Sequence, residues 1–133
     1  MPVATWSTRR WPVVRARPEM ACPPGPPVPL LQVAVKDDGE IPYAPGDPPF
    51  SANGVVLTPV TSEVSAWRQR DGCASGGAVR ATGSLQLQQW VSCQKGSRVE
   101  LATYASGGHY WPAGNATTPP AGQIVWQFVN AAS

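Results

Sequence analysis

The segment Val28-Pro29-Leu30-Leu31-Gln32-Val33-Ala34-Val35 is apolar at almost every position, and that run limits the folds open to the chain more than any other feature. A strand with one wet face alternates apolar and polar residues. A strand with neither face wet does not, and such strands belong to parallel sheets covered on both sides. The run stops at Lys36-Asp37-Asp38-Gly39-Glu40, a polar turn at the strand's C-terminal end. Upstream, Cys22-Pro23-Pro24-Gly25-Pro26-Pro27 is neither helix nor central strand, because proline fixes φ and removes the backbone donor.

Residues 42–59 hold five prolines with glycines between them and form a long loop. A helix follows, with Thr61 or Ser62 as its cap and Val60, Val64 and Trp67 at i, i+4 and i+7. Asp71-Gly72-Cys73 ends it. Leu85, Leu87, Gln89 and Val91 alternate with polar neighbours and predict a strand exposed on one side, and Val99 to Tyr104 is a further strand. Thr118-Pro119-Pro120 opens a last helix by a hydroxyl cap with proline at the first helical position, and Ala121, Ile124, Val125, Phe128 and Val129 form its apolar face. Trp67, Trp90 and Trp126 fall at helix or strand positions and are expected in the core. The strand, helix, strand, helix order predicts an α/β fold in one domain over residues 22–133, behind an irregular segment at 1–21.

In open α/β sheets, functional groups collect just past the carboxyl ends of the strands. Asp38 follows the first buried strand, and His109 follows the second after a Ser106-Gly107-Gly108 turn. An aspartate on imidazole Nδ1 fixes the tautomer and supports the imidazolium, leaving Nε2 as the base. Asp37 and Glu40, beside Asp38, are read as solvated turn residues or as alternative holders of the same role.

Four ordered motifs and a closing helix carry a family resemblance. Val99 to Pro112, VELATYASGGHYWP, resembles the histidine motif of the polyhydroxybutyrate depolymerase and feruloyl esterase group of α/β-hydrolases, in which a strand and a glycine-rich turn lead into G-H-[ST]-W-P-G. Cys22 to Pro29 is similar to that group's proline-rich entry to the acid-bearing strand. Asp38-Gly39-Glu40-Ile41-Pro42-Tyr43 resembles its D-x-x-[VI]-P-Y, and Trp67 with Asp71-Gly72-Cys73 resembles its W…[DN]-G-C. Ile124 to Phe128 is similar to the closing helix.

The resemblance implies the C-terminal half of an α/β-hydrolase: the last two parallel strands, their crossover helix, an extra strand and the terminal helix. Serine-type hydrolysis of a carboxylic ester would follow, with His109 as general acid and base, Asp38 as its orienting carboxylate, and Trp111 at the substrate. The substrate would be an ester or polyester, without metal or organic cofactor, in an extracellular setting. Departures are specific. Ala34-Val35 stands where the family writes His-Gly, Tyr110 replaces Ser or Thr, and Ala113 replaces Gly. No G-x-S-x-G nucleophile elbow occurs in the chain. The nucleophile is therefore expected on an N-terminal half that is missing here. The first strand would then offer an unpaired edge for that half or for a second copy.

Other classes fit less well. A net charge of +2 gives no electrostatic case for nucleic acid, and no apolar run approaches a membrane span. The first twenty residues carry arginines where a signal peptide has its apolar region, so no signal peptide is expected. The three cysteines include no C-x-x-C pair and the chain has one histidine, which disfavours structural zinc; Cys73 at the helix end and Cys93 after the extra strand are expected to form a disulfide, with Cys22 unpaired. Six tryptophans leave open a non-catalytic module binding polymer or polysaccharide.

Overall fold

Strand β1 (Leu30–Val35) lies beside β6 (Val99–Tyr104), parallel and in a register that pairs Leu30 with Val99 and Val35 with Tyr104. All twelve residues are buried, as the nearly continuous apolar run predicts for β1, and the buried set includes the polar Gln32, Glu100 and Thr103. This computed structural model describes residues 25–48, 51–52 and 55–131. The expectations for the segment at 1–21 and for Cys22 fall outside them.

Alternation along the strands sends side chains to two separate layers. Leu31, Val33 and Val35, with Ala102 and Tyr104, pack against α2 (Ala121–Ala131) through Ala121, Ile124 and Phe128. Leu30 and Ala34, with Val99 and Leu101, pack against α1 (Val60–Arg70) through Val60 and Val64. The helices therefore cover opposite faces, as parallel pairing demands. Each fully buried Val or Leu in these layers contributes about 1.5–3 kcal/mol.

The sheet continues away from β1. Strands β4 (Ala78–Thr82) and β5 (Leu85–Trp90) form an antiparallel hairpin, and β5 runs antiparallel to β6, giving the order β1-β6-β5-β4. The result is a mixed four-stranded sheet with a helix on each side, an α/β arrangement. The strand expected near residue 85 is thus half of a hairpin whose other half, β4, buries no side chain and so shows no apolar period in the sequence. Its turn is docked: Ser84 N donates to Thr118 Oγ1 at 2.9 Å, Gly83 has φ +59°, and a Cβ there would collide with Thr118 and the Thr117 carbonyl. The long loop contains one further antiparallel pair, β2 (Ser51–Ala52) with β3 (Val55–Val56).

Both helix starts differ from expectation for a common reason. Thr61 and Ser62 lie inside α1, and no side chain caps it. Instead the Pro42 and Tyr43 carbonyls accept from Val60 N and Thr61 N, each at 3.0 Å, so loop backbone satisfies the orphan donors. At α2 the Thr118 hydroxyl is committed to the hairpin turn, and Ala121 N donates to Pro112 O at 2.9 Å. Trp90 is buried and Trp67 packs beside the α1 layer, as expected, whereas Trp126 is exposed. It stands two positions from both Ile124 and Phe128, which on a helix is the opposite side.

The end of α1 is tied down twice. Asp71, fully buried, accepts from Val28 N (3.1 Å), Ser97 Oγ (2.7 Å) and Arg70 Nη1 (3.0 Å), joining the entry to β1, the helix end and the approach to β6. Cys73 is disulfide-bonded to Cys93, with Cα atoms 3.8 Å apart.

Candidate active site

The parallel register ends β1 and β6 level with each other, so the residues that leave the two strands emerge side by side. From β1 the chain turns at once: Lys36 N still bonds Tyr104 O at 2.9 Å, and Asp38 N donates to Val35 O at 3.2 Å. From β6 it passes through Ala105-Ser106-Gly107-Gly108 to His109. Glycine is needed at 107 and 108, where φ is +144° and +65°.

Asp38 and His109 meet across this gap. His109 Nδ1 lies 3.1 Å from Asp38 Oδ1 and 3.0 Å from Oδ2. The carboxylate is fixed in turn by its own loop, since Oδ1 also accepts from Glu40 N (2.8 Å) and Ile41 N (3.0 Å). Tyr43 anchors that loop from below through a 2.9 Å bond between its hydroxyl and Thr103 Oγ1 on β6. Each residue of Asp38-Gly39-Glu40-Ile41-Pro42-Tyr43 that differs from a bland turn therefore has a job: acid, amide donors, helix-capping carbonyls, and a phenol on the strand.

Two acidic neighbours take parts that the sequence left open. Asp37 Oδ1 accepts from Gly107 N at 2.9 Å and Gly108 N at 2.8 Å. Glu40 Oε2 stands 3.2 Å from His109 Nε2, so the ring is bracketed by carboxylates. The Glu40 side chain is 56% exposed and can leave by rotating into water. The bond to Asp38 holds the His109 proton above the ordinary imidazole range; partial burial opposes this, and the charges of Asp38 and Glu40 assist it. A raised imidazole keeps its proton to higher pH, and Nε2 acts as a base only once that proton has gone.

Trp111 is 46% exposed and Tyr110 82% exposed, immediately after the histidine. Both line a cavity of about 270 Å³ with Ser84, Tyr104 and Ser106. The Tyr104 hydroxyl donates to Pro119 O at 2.8 Å, and burial pushes its phenol up. Ser106 and Ser75 are exposed, and among the described residues no serine is hydrogen-bonded to His109. Among the described residues there is also no group of three or more His, Cys, Asp or Glu side chains able to hold a metal ion, and no helix long and apolar enough to cross a membrane.

Comparison with known proteins returns no matching family model, no matching curated protein and no matching solved structure.

Proposed function

We propose that Asp38 and His109 are the acid and base of a serine-type carboxylic ester hydrolase of the α/β-hydrolase kind, resembling the polyhydroxybutyrate depolymerases and feruloyl esterases. One observation carries this reading: an aspartate past one parallel strand holds Nδ1 of a histidine past the adjacent parallel strand, at 3.0 Å. That contact selects the tautomer in which Nε2 is the free base and stabilises the imidazolium formed when it takes a proton. Trp111, two positions after His109, would meet the ester, and Glu40 would give up Nε2 when substrate arrives.

The chain supplies base and orienting acid, while no serine in it stands in a G-x-S-x-G frame. The nucleophile would reach Nε2 from a further segment pairing with the side of β1 that faces away from β6, a place that a second copy would also fit. These 133 residues alone are then at best a very weak esterase, because nucleophile and oxyanion donors supply most of the rate in this class. The disulfide fits an oxidising compartment and, with the family resemblance, an extracellular one.

The test is turnover of p-nitrophenyl acetate and butyrate by the purified chain, beside His109→Ala and a fluorophosphonate label. Slow, His109-dependent turnover with no labelled serine supports the reading. Fast turnover with one labelled serine would place a nucleophile within the chain, with Ser75 and Ser106 the first to substitute.

One observation favours a second reading, a non-catalytic binder of polymer or polysaccharide: Glu40 already occupies Nε2, while Tyr110 and Trp111, the next two residues in the chain after His109, stand exposed. Retention on insoluble polyester or polysaccharide that Trp111→Ala abolishes, with turnover indifferent to His109→Ala, would decide for it.

A further inference from the structure

We infer that Asp37 is a positioning residue for His109, acting through the backbone of the Gly107-Gly108 turn. The inference rests on the reading of Asp38 and His109 as an acid–base pair, and it extends that pair to a third group.

Two successive carboxylates at the end of β1 reach the same loop by different handles. Asp38 takes the imidazole ring, whereas Asp37 takes the two amides immediately before it, 70 and 71 positions away in sequence. Asp37 is itself exposed, yet a single one of its oxygens takes two consecutive distant amides. These amides converge on it only because both glycines sit at positive φ.

The need for such a tether follows from the loop's composition. Adjacent glycines have more backbone freedom than any other pair, and that freedom stands directly between the end of β6 and His109. Left free, the turn would let the ring drift from Asp38, and misplacement of about 1 Å is enough to cost two orders of magnitude in rate in a catalytic site. Asp37 removes the freedom with two charge-assisted hydrogen bonds and makes no contact with the ring itself. The charged groups that do face the ring are Asp38 at Nδ1 and Glu40 at Nε2.

His109 is the only histidine in the chain, so its ring signals in a nuclear magnetic resonance spectrum need no assignment when the purification tag contains none. Asp37→Asn removes the charge but keeps a side-chain oxygen able to accept from both glycines; Asp37→Ala removes the acceptor. The expected result is a low-field Nδ1–H signal and a titration midpoint like the unaltered protein's in Asp37→Asn. In Asp37→Ala the signal is lost, and the midpoint moves most of the way to that of Asp38→Ala. An Asp37→Ala protein with unchanged signal and midpoint would overturn the inference. So would Asp37→Asn behaving like Asp37→Ala, since the effect would then be one of charge alone.

If Asp37→Ala does not fold, amide exchange in the unaltered protein decides the matter. Gly107 and Gly108 slowed about tenfold or more relative to an unstructured chain support the tether, and unprotected amides overturn it. None of these readouts uses ester turnover. A positioned ring in a protein without His109-dependent chemistry would defeat the proposed function and leave the tether standing.

Discussion

Asp38 and His109 are 71 positions apart in sequence, yet the carboxylate of one lies 3.0 Å from Nδ1 of the other. The contact has a thermodynamic consequence. His109 binds its proton more tightly in the folded chain than in the unfolded one, so the interaction contributes stability that is fully present below the unfolded midpoint near 6.5 and is lost as pH rises through the raised folded midpoint. The thermal midpoint of the unaltered protein should therefore exceed that of His109→Ala at pH 5.5 by more than it does at pH 8.5. Scanning calorimetry of both proteins across that range checks this, and a difference that grows with pH would contradict it.

Removing Asp71 should be among the most damaging single changes. Its buried carboxylate serves Val28 N and Ser97 Oγ as well as Arg70, and deleting one partner of a buried charge pair costs about 3–5 kcal/mol. Urea unfolding of Asp71→Ala should show a loss of that size. A loss within the range of an ordinary surface substitution would mean that the entry to β1 is held by something else.

Reduction of the Cys73–Cys93 bridge should cost on the order of 3 kcal/mol, since it closes a loop spanning 20 positions that contains the β4–β5 hairpin. The doubly substituted Cys73→Ser, Cys93→Ser protein should show the same loss without reductant. Equal stability of reduced and oxidised protein would contradict the role given to the bridge.

How much of this the residues announced depends on whether a feature is local. The nearly continuous apolar run of β1 reads as a strand buried on both faces, while its pairing with β6 and the meeting of Asp38 with His109 were expectations of the family resemblance. Strand β4 was illegible because Ala78-Val79-Arg80-Ala81-Thr82 buries nothing, so only the Gly83-Ser84 turn marked it. The α1 cap was illegible because the carbonyls that supply it belong to Pro42 and Tyr43, each eighteen positions upstream of the donor it meets. Trp126 differs from the expectation of a core position although its spacing from Ile124 and Phe128 is a local signal for the wet side. The contacts of Asp37 and Glu40 had no local signal. An acidic residue in a turn looks solvated until tertiary structure brings it a donor.

As proposed, His109 is oriented by Asp38 and offers Nε2 as a base for ester chemistry. The most direct measurement is the rate of p-nitrophenyl acetate cleavage against pH for the unaltered chain, Asp38→Asn and His109→Ala. The unaltered rate should be slow and should rise through the His109 titration midpoint, because deprotonation releases Nε2 from Glu40. Asp38→Asn should lower both the midpoint and the plateau, and His109→Ala should reduce the plateau about tenfold or more toward the buffer rate. A rate that His109→Ala leaves unchanged at every pH would contradict the account.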